Sequence, residues 1–317
     1  MKPRKRNPKK SKKLKRGSSS SAPWPPWIEL PEHLTADILQ RLYTEEIIES
    51  AQCVCTTWWR VCQNPATWRS IDLDYRRPAA RDESVCEGSC THDDVCHCGE
   101  DKFAFLVRRA VDLSQGQLLN LKLGVWDLYE SLNYVAHRSS QLQSLTFLQC
   151  GVDYDTSGLI LAIKKLPQLE ELHLMMNPKL VSDDFETIGI ACPMLKSFSY
   201  HNCFDEDADF AGDVVAIRKT MPNLHHLRLC EHPMGYKGLE AILDDCPHLK
   251  SLDLRLCSGL EKVYDSDHRL SERGDLWLHT DSISFMDWIT KRKDNYDSDF
   301  EYGDCYHCCA DIEGDYY

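Results

Sequence analysis

Apolar side chains are spaced along this chain in two regimes. From Ile28 they fall at three- and four-residue steps, Leu30, Leu34, Ile38, Leu39 and Leu42, the spacing of one helix face. Pro31 suits a first helical turn, where its missing N–H is not needed. A second apolar set, Ile47, Ile48, Ala51, Val54 and Cys55, leads to Trp58-Trp59-Arg60, and a third short helix should run to Pro65. Three helices in about 45 residues make a poor core alone. So many large apolar side chains in so small a unit predict packing against further structure, or against a partner.

Beyond Leu118 the period lengthens. The template Leu-x-x-Leu-x-Leu is met by Leu118/Leu121/Leu123, Leu142/Leu145/Phe147 and Leu169/Leu172/Leu174. It is met again by Leu195/Phe198/Tyr200, Leu224/Leu227/Leu229 and Leu249/Leu252/Leu254. The starts are 24, 27, 26, 29 and 25 residues apart, the range of leucine-rich repeats. Ninth positions read Trp126, Cys150, Asn177, Cys203, His232 and Cys257; Cys or Asn there hydrogen-bonds loop backbone where the strand ends. Helical runs at Ser157 to Lys165, Asp183 to Ala191 and Gly238 to Asp245 fill the gaps. Pro167, Pro193, Pro222 and Pro247 then send the chain out extended. A helix from about Phe103 to Ser114 precedes the first full repeat. Trp68-x-x-Ile71-x-Leu73 and Leu276-Trp277-Leu278 read as weaker flanking units, as ends of a solenoid tend to be. The expected fold is α/β: a three-helix unit, then a short solenoid with parallel strands on a concave face and helices on a convex one.

Charge narrows the function. The net charge is -13, yet residues 1–16 hold ten Lys or Arg and no acid, so the remainder carries 27 bases against 50 acids, or -23. A body so acidic argues against nucleic acid as a partner. No apolar run approaches ~18 residues, so no membrane partner is expected. Nor does an apolar core follow the basic run, so it does not read as a secretory signal. It reads instead as a nuclear localisation signal on a disordered tail, 1–22, with the cytoplasm a second location. The sixteen cysteines suggest a mostly reduced, intracellular chain. The expected division is the tail, a helical unit at 23–70, an irregular Cys/His insertion at 71–102 and the solenoid at 103–280. An acidic segment at 281–317 closes it, with eight acids and five Tyr after Lys293.

Catalytic signatures are missing: there is no phosphate-binding glycine loop, nucleophile elbow or H-E-x-x-H. Cys86, Cys90, Cys96 and Cys98 with His92 and His97 could supply zinc ligands, but the paired C-x2-C spacing is lacking. Neither metal nor cofactor is expected. Template positions three, five and seven should face outward on the concave side, a usual binding surface of solenoids. They offer Glu171, His173, Met175, His201, Arg228 and Arg255 as a search region for an unknown protein substrate. Met, His and Arg together suit a peptide bearing an acidic or phosphorylated group.

Leu30-Pro31 opening a helix, Ile38-Leu39 and Leu42 within it, Val54-Cys55 before Trp58-Trp59-Arg60, and then Trp68 resemble an F-box. With the repeats, Ala110 to Gly116 and Asp245 to Leu249, the chain resembles plant F-box/leucine-rich-repeat proteins over about residues 28–280. The resemblance implies a non-catalytic substrate receptor of a Skp–cullin–F-box ubiquitin ligase, joined through a Skp-type adaptor to a cullin–RING ligase. Leu30, Pro31, Ile38, Leu39, Leu42, Ile47, Val54 and Trp58 would serve adaptor binding, some by closing the small core. The alternative is an interaction scaffold with a non-functional F-box. Trp24 to Trp27, the Cys86–Cys98 stretch and the acidic segment depart from the family pattern.

Overall fold

The short helices at the start of the ordered chain set the geometry of everything behind them. The computed structural model describes residues 30–74, 80, 98–125, 129–149, 156–176, 180–202, 211–230, 234–254, 257, 260 and 275–277. Helix α1 (Glu32–Leu39) follows an extended Pro31, and α2 (Thr44–Glu49) leads through a 3-10 turn at Ala51–Cys53 to α3 (Thr56–Cys62). Leu39, Ile47, Ile48, Ala51, Val61 and Cys62 fill the space between them. Trp68 ends a second 3-10 turn, Pro65–Trp68, and is buried because its indole N–H has a partner: Nε1 donates to the Cys62 carbonyl at 2.7 Å.

Strand β1 (Ser70–Asp74) starts two residues after Trp68 and begins an eight-stranded parallel sheet. The strands lie in chain order: β2 (Asn120–Val125), β3 (Ser144–Gln149), β4 (Glu171–Met176), β5 (Ser197–Asn202), β6 (His226–Cys230), β7 (Ser251–Asp253) and β8 (Asp275–Trp277). The connecting helices are α4 (Cys98–Ser114), α5 (Tyr129–Arg138), α6 (Ser157–Ile163), α7 (Ser182–Ala191), α8 (Ala211–Thr220) and α9 (Tyr236–Asp245).

Register follows the leucine template. Leu121, Leu145, Leu172, Phe198, Leu227 and Leu252 stand opposite one another in successive strands, and all are buried. One carbonyl before each of β1 to β6 accepts two N–H groups from the next repeat. The Glu170 carbonyl, for instance, takes Lys196 at 2.8 Å and Ser197 at 3.0 Å. Where the template carries Phe198 and Tyr200 in place of leucines, Phe185 of α7 meets both edge-on, at 6.0 and 5.3 Å. The Tyr200 hydroxyl accepts the Leu180 N–H at 2.8 Å. Cys257, the described ninth-position residue, is buried and donates Sγ–H to the Leu229 carbonyl at 3.1 Å.

The helical unit and the solenoid share one continuous core. The Asp72 N–H of β1 donates to Thr44 Oγ1 of α2 at 3.1 Å, and Lys102 of α4 pairs with Glu49 of α2 at 3.0 Å. Both weak flanking repeats are strands. The segment assigned as irregular at 71–102 therefore opens with most of β1 and closes with the first turns of α4. Ile71 and Leu73 gain a buried place opposite Leu121 and Leu123, and that pairing outweighs the local signal of Asp72 and Asp74. Polar Cys98 to Asp101 give no apolar period by which to read the start of α4.

Candidate docking surfaces

Two surfaces arise from this arrangement, one on the helical unit and one on the sheet. On α1, Thr35 and Leu39 lie four residues apart and turn inward. The neighbouring stripe of Pro31, Leu34 and Ile38 therefore turns outward, with Leu34 41% exposed and Ile38 half-buried. Leu42 at 36%, Val54 at 60% and Trp59 at 53% exposure extend apolar surface across the same unit. Consecutive helical residues point about 100° apart. Trp58 accordingly packs against the core while Trp59 faces solvent. An exposed ion pair, Arg60 to Glu32 at 2.7 Å, ties α3 to α1. Isolated pairs of that kind contribute little, so the exposed apolar residues are what this unit has to offer a partner.

On the concave side of the sheet the structure sorts the search region. Glu171, Met175 and His201 are partly exposed, but His173 and Arg228 are each only 4% exposed. Arg228 Nε lies 2.8 Å from Asp253 Oδ2 on the adjacent strand, both side chains nearly out of water. This corrects the reading of Arg228 as a receptor for an acidic or phosphorylated group, because its guanidinium already holds a carboxylate. Ser144 Oγ donates to Glu171 Oε2 at 3.1 Å, and Lys122 faces Asp72 at 3.6 Å. Arg255 lies outside the described residues, as do Cys86, Cys90, Cys96, His92 and His97.

Burial holds two thiols neutral. Burial pushes Cys192 from 9.0 up to about 12; it raises Cys62 to about 11, with Cys53 nearby adding to the shift. Neither suits a nucleophile, which needs its thiolate. Among the described residues no group of His, Cys, Asp and Glu could hold a metal ion, and no helix is long and apolar enough to cross a membrane.

The chain matches no family model. It is 36% identical over 291 residues to F-box protein SKIP19 of Arabidopsis thaliana, covering 92% of this chain and 89% of that protein. It is 36% identical over 260 residues to putative F-box/LRR-repeat protein 9 of the same plant, covering 78% and 98%. With putative F-box/LRR-repeat protein 22 it shares 38% over 249 residues, covering 78% and 74%. The chain belongs to the plant F-box/leucine-rich-repeat family. Its F-box is the helical unit, and Leu39 and Ile47, named above for adaptor binding, are buried in that unit's core and out of reach of any partner. Leu30 and Trp58 are half-buried; Pro31, Leu42 and Val54 are exposed. Leu34 and Trp59 are missing from the candidates read off the sequence, although their F-box positions place them outside. The signal was available for Leu34, which repeats with Leu30 and Ile38 on a face distinct from that of Thr35 and Leu39.

Proposed function

We propose that this chain is the non-catalytic substrate-recognition subunit of a Skp–cullin–F-box ubiquitin ligase. The F-box docks on a Skp-type adaptor, and through it on a cullin–RING ligase. The repeats hold a target protein, raising the effective concentration of its lysines near the charged ubiquitin carrier. The basic run at residues 1–16, outside the described residues, supports nuclear import. The observation that carries the reading is the exposed set Leu34, Leu42, Val54 and Trp59 on a unit too small to need it for its own core.

Co-purification with a plant Skp-type adaptor tests it. The wild-type chain is expected to elute with the adaptor in equimolar amount, and a Leu42→Ala/Val54→Ala/Trp59→Ala variant to elute alone with an unchanged circular dichroism spectrum. A wild type that elutes without the adaptor makes the chain a repeat scaffold instead.

A further inference from the structure

We infer that residues 281–293, outside the described residues, lie across the concave face as a cover that a target must displace. The inference rests on the receptor reading only for what the cover excludes. The concave side chains are drier than the sheet alone can make them. Side chains of a sheet stand roughly perpendicular to it, so a long one between short ones should project into water. His173 stands between Thr146 and Ser199 of the adjacent strands, yet it is 4% exposed. Leu148 stands between Met175 and Gly124, and it is 1% exposed. The Asp74 carboxylate lies over Gly124 and closes that side alone. Ser199 and Cys230 on the same face are buried too. Glu171, His173 and His201 all have partners already, so the face is engaged and not open.

The identity of the cover follows from what the rest of the chain can offer. Residues 75–97, after β1, hold Tyr75, Val85 and Val95 as their large apolar side chains other than cysteine. Residues 255–274 join β7 to β8, and their Cys257 and Leu260 already belong to the core. Past β8 the sequence carries five apolar side chains in seven residues, Ile283, Phe285, Met286, Trp288 and Ile289. Left in water, such a run would be an exposed apolar patch. Over Leu148, Met175 and His173 it is buried, and it keeps them dry. The reach suffices. Residues 278–282 span up to about 17 Å when extended, and β4 lies four strand steps of about 4.8 Å from β8. The apolar run therefore comes within range of β4 to β6.

The test uses the full chain. Diethyl pyrocarbonate modifies imidazoles that solvent reaches, and mass spectrometry reads each site. His173 is expected to react about tenfold more slowly than His137, which is exposed on α5. Phe285→Asp/Trp288→Asp/Ile289→Asp should raise the His173 rate about tenfold and leave His137 unchanged. An unchanged His173 rate would assign the cover to another segment and overturn the inference. A second variant, Trp288→benzoylphenylalanine, keeps the run apolar and adds a photo-crosslinking group. Irradiation should link position 288 to β4, β5 or β6. Links to the convex helices alone, or none within the chain, would overturn the inference even if the triple variant failed to fold. Adaptor co-purification does not depend on residues 281–293, so this inference and the receptor reading fail separately.

Discussion

Gly189 of α7 and Thr220 at the end of α8 meet with no room for a methyl group between them. A Cβ on Gly189 would lie 2.5 Å from Thr220 Cβ and closer still to Oγ1. Thr220 cannot swing aside freely, since its hydroxyl donates to the Ala216 carbonyl at 2.7 Å. Gly189→Ala should therefore destabilise the chain by about 2 kcal/mol through overpacking, more than its gain in helix propensity. Thermal melts of Gly189→Ala and of Gly189→Ala/Thr220→Gly check this. The double variant should recover part of the loss, and its failure to do so would place the strain elsewhere.

The F-box surface divides into residues that hold it together and residues that face out. Leu39→Ala should cost about 3 kcal/mol of stability, as a buried leucine does. Val54→Ala and Trp59→Ala should leave stability within about 0.5 kcal/mol. Yet each should weaken adaptor binding by roughly 2 kcal/mol if it is a hot spot. Urea melts beside adaptor titrations separate the two effects. Equal stability losses at Leu39 and Val54 would contradict the division.

Arg228 and Asp253 make a nearly buried pair. Removing one partner strands the other, so Arg228→Ala should cost about 3 kcal/mol. Arg228→Met/Asp253→Leu, which removes both charges, should cost far less. Chemical denaturation of wild type, both single variants and the double variant gives the coupling; additive losses would show that the two charges do not depend on each other.

Cys192 supplies a pH dependence with a definite sign. Its thiol ionises at 9.0 in the unexceptional case and at about 12 in the folded chain. Between those values the unfolded state releases a proton that the folded state keeps. Stability is intact below pH 9 and falls as pH rises toward 12, by about 1.4 kcal/mol per unit for this thiol. Urea midpoints at pH 8 and pH 10 should show Cys192→Ala starting less stable but losing ~1 kcal/mol less than wild type over that interval. Equal losses would show that Cys192 is not the titrating group.

The solenoid was legible because its signal is one-dimensional. Leu-x-x-Leu-x-Leu marks the strands and a proline follows each of α6 to α9, and both are read along the chain. Even Trp68, Ile71 and Leu73 could be aligned, because the template survives at the solenoid's edge. The spacing separates Leu39 and Leu34 onto two adjacent faces of α1, and which of them turns inward toward α3 is a matter of tertiary packing. Arg228 looked available because outward-pointing residues of a strand are usually wet. Its burial depends on Asp253 of the next strand, a neighbour in space that lies 25 residues away in sequence. The start of α4 was missed for the opposite reason: its first turn lacks apolar spacing and is helical only in continuity with the apolar turns from Phe103 onward.

The passage from Trp68 into β1 without a linker has a mechanical consequence. With α2 fastened to β1 through Thr44 and to α4 through Lys102, there is no hinge at this junction. The eight strands act as a stiff arm clamped at one end. Successive strands step about 4.8 Å along that arm. Whatever binds over a given strand is held at a distance from the F-box fixed by strand count, as on a ruler. Inserting or deleting one repeat would reset that distance by a whole step, and no bending of the chain would restore it.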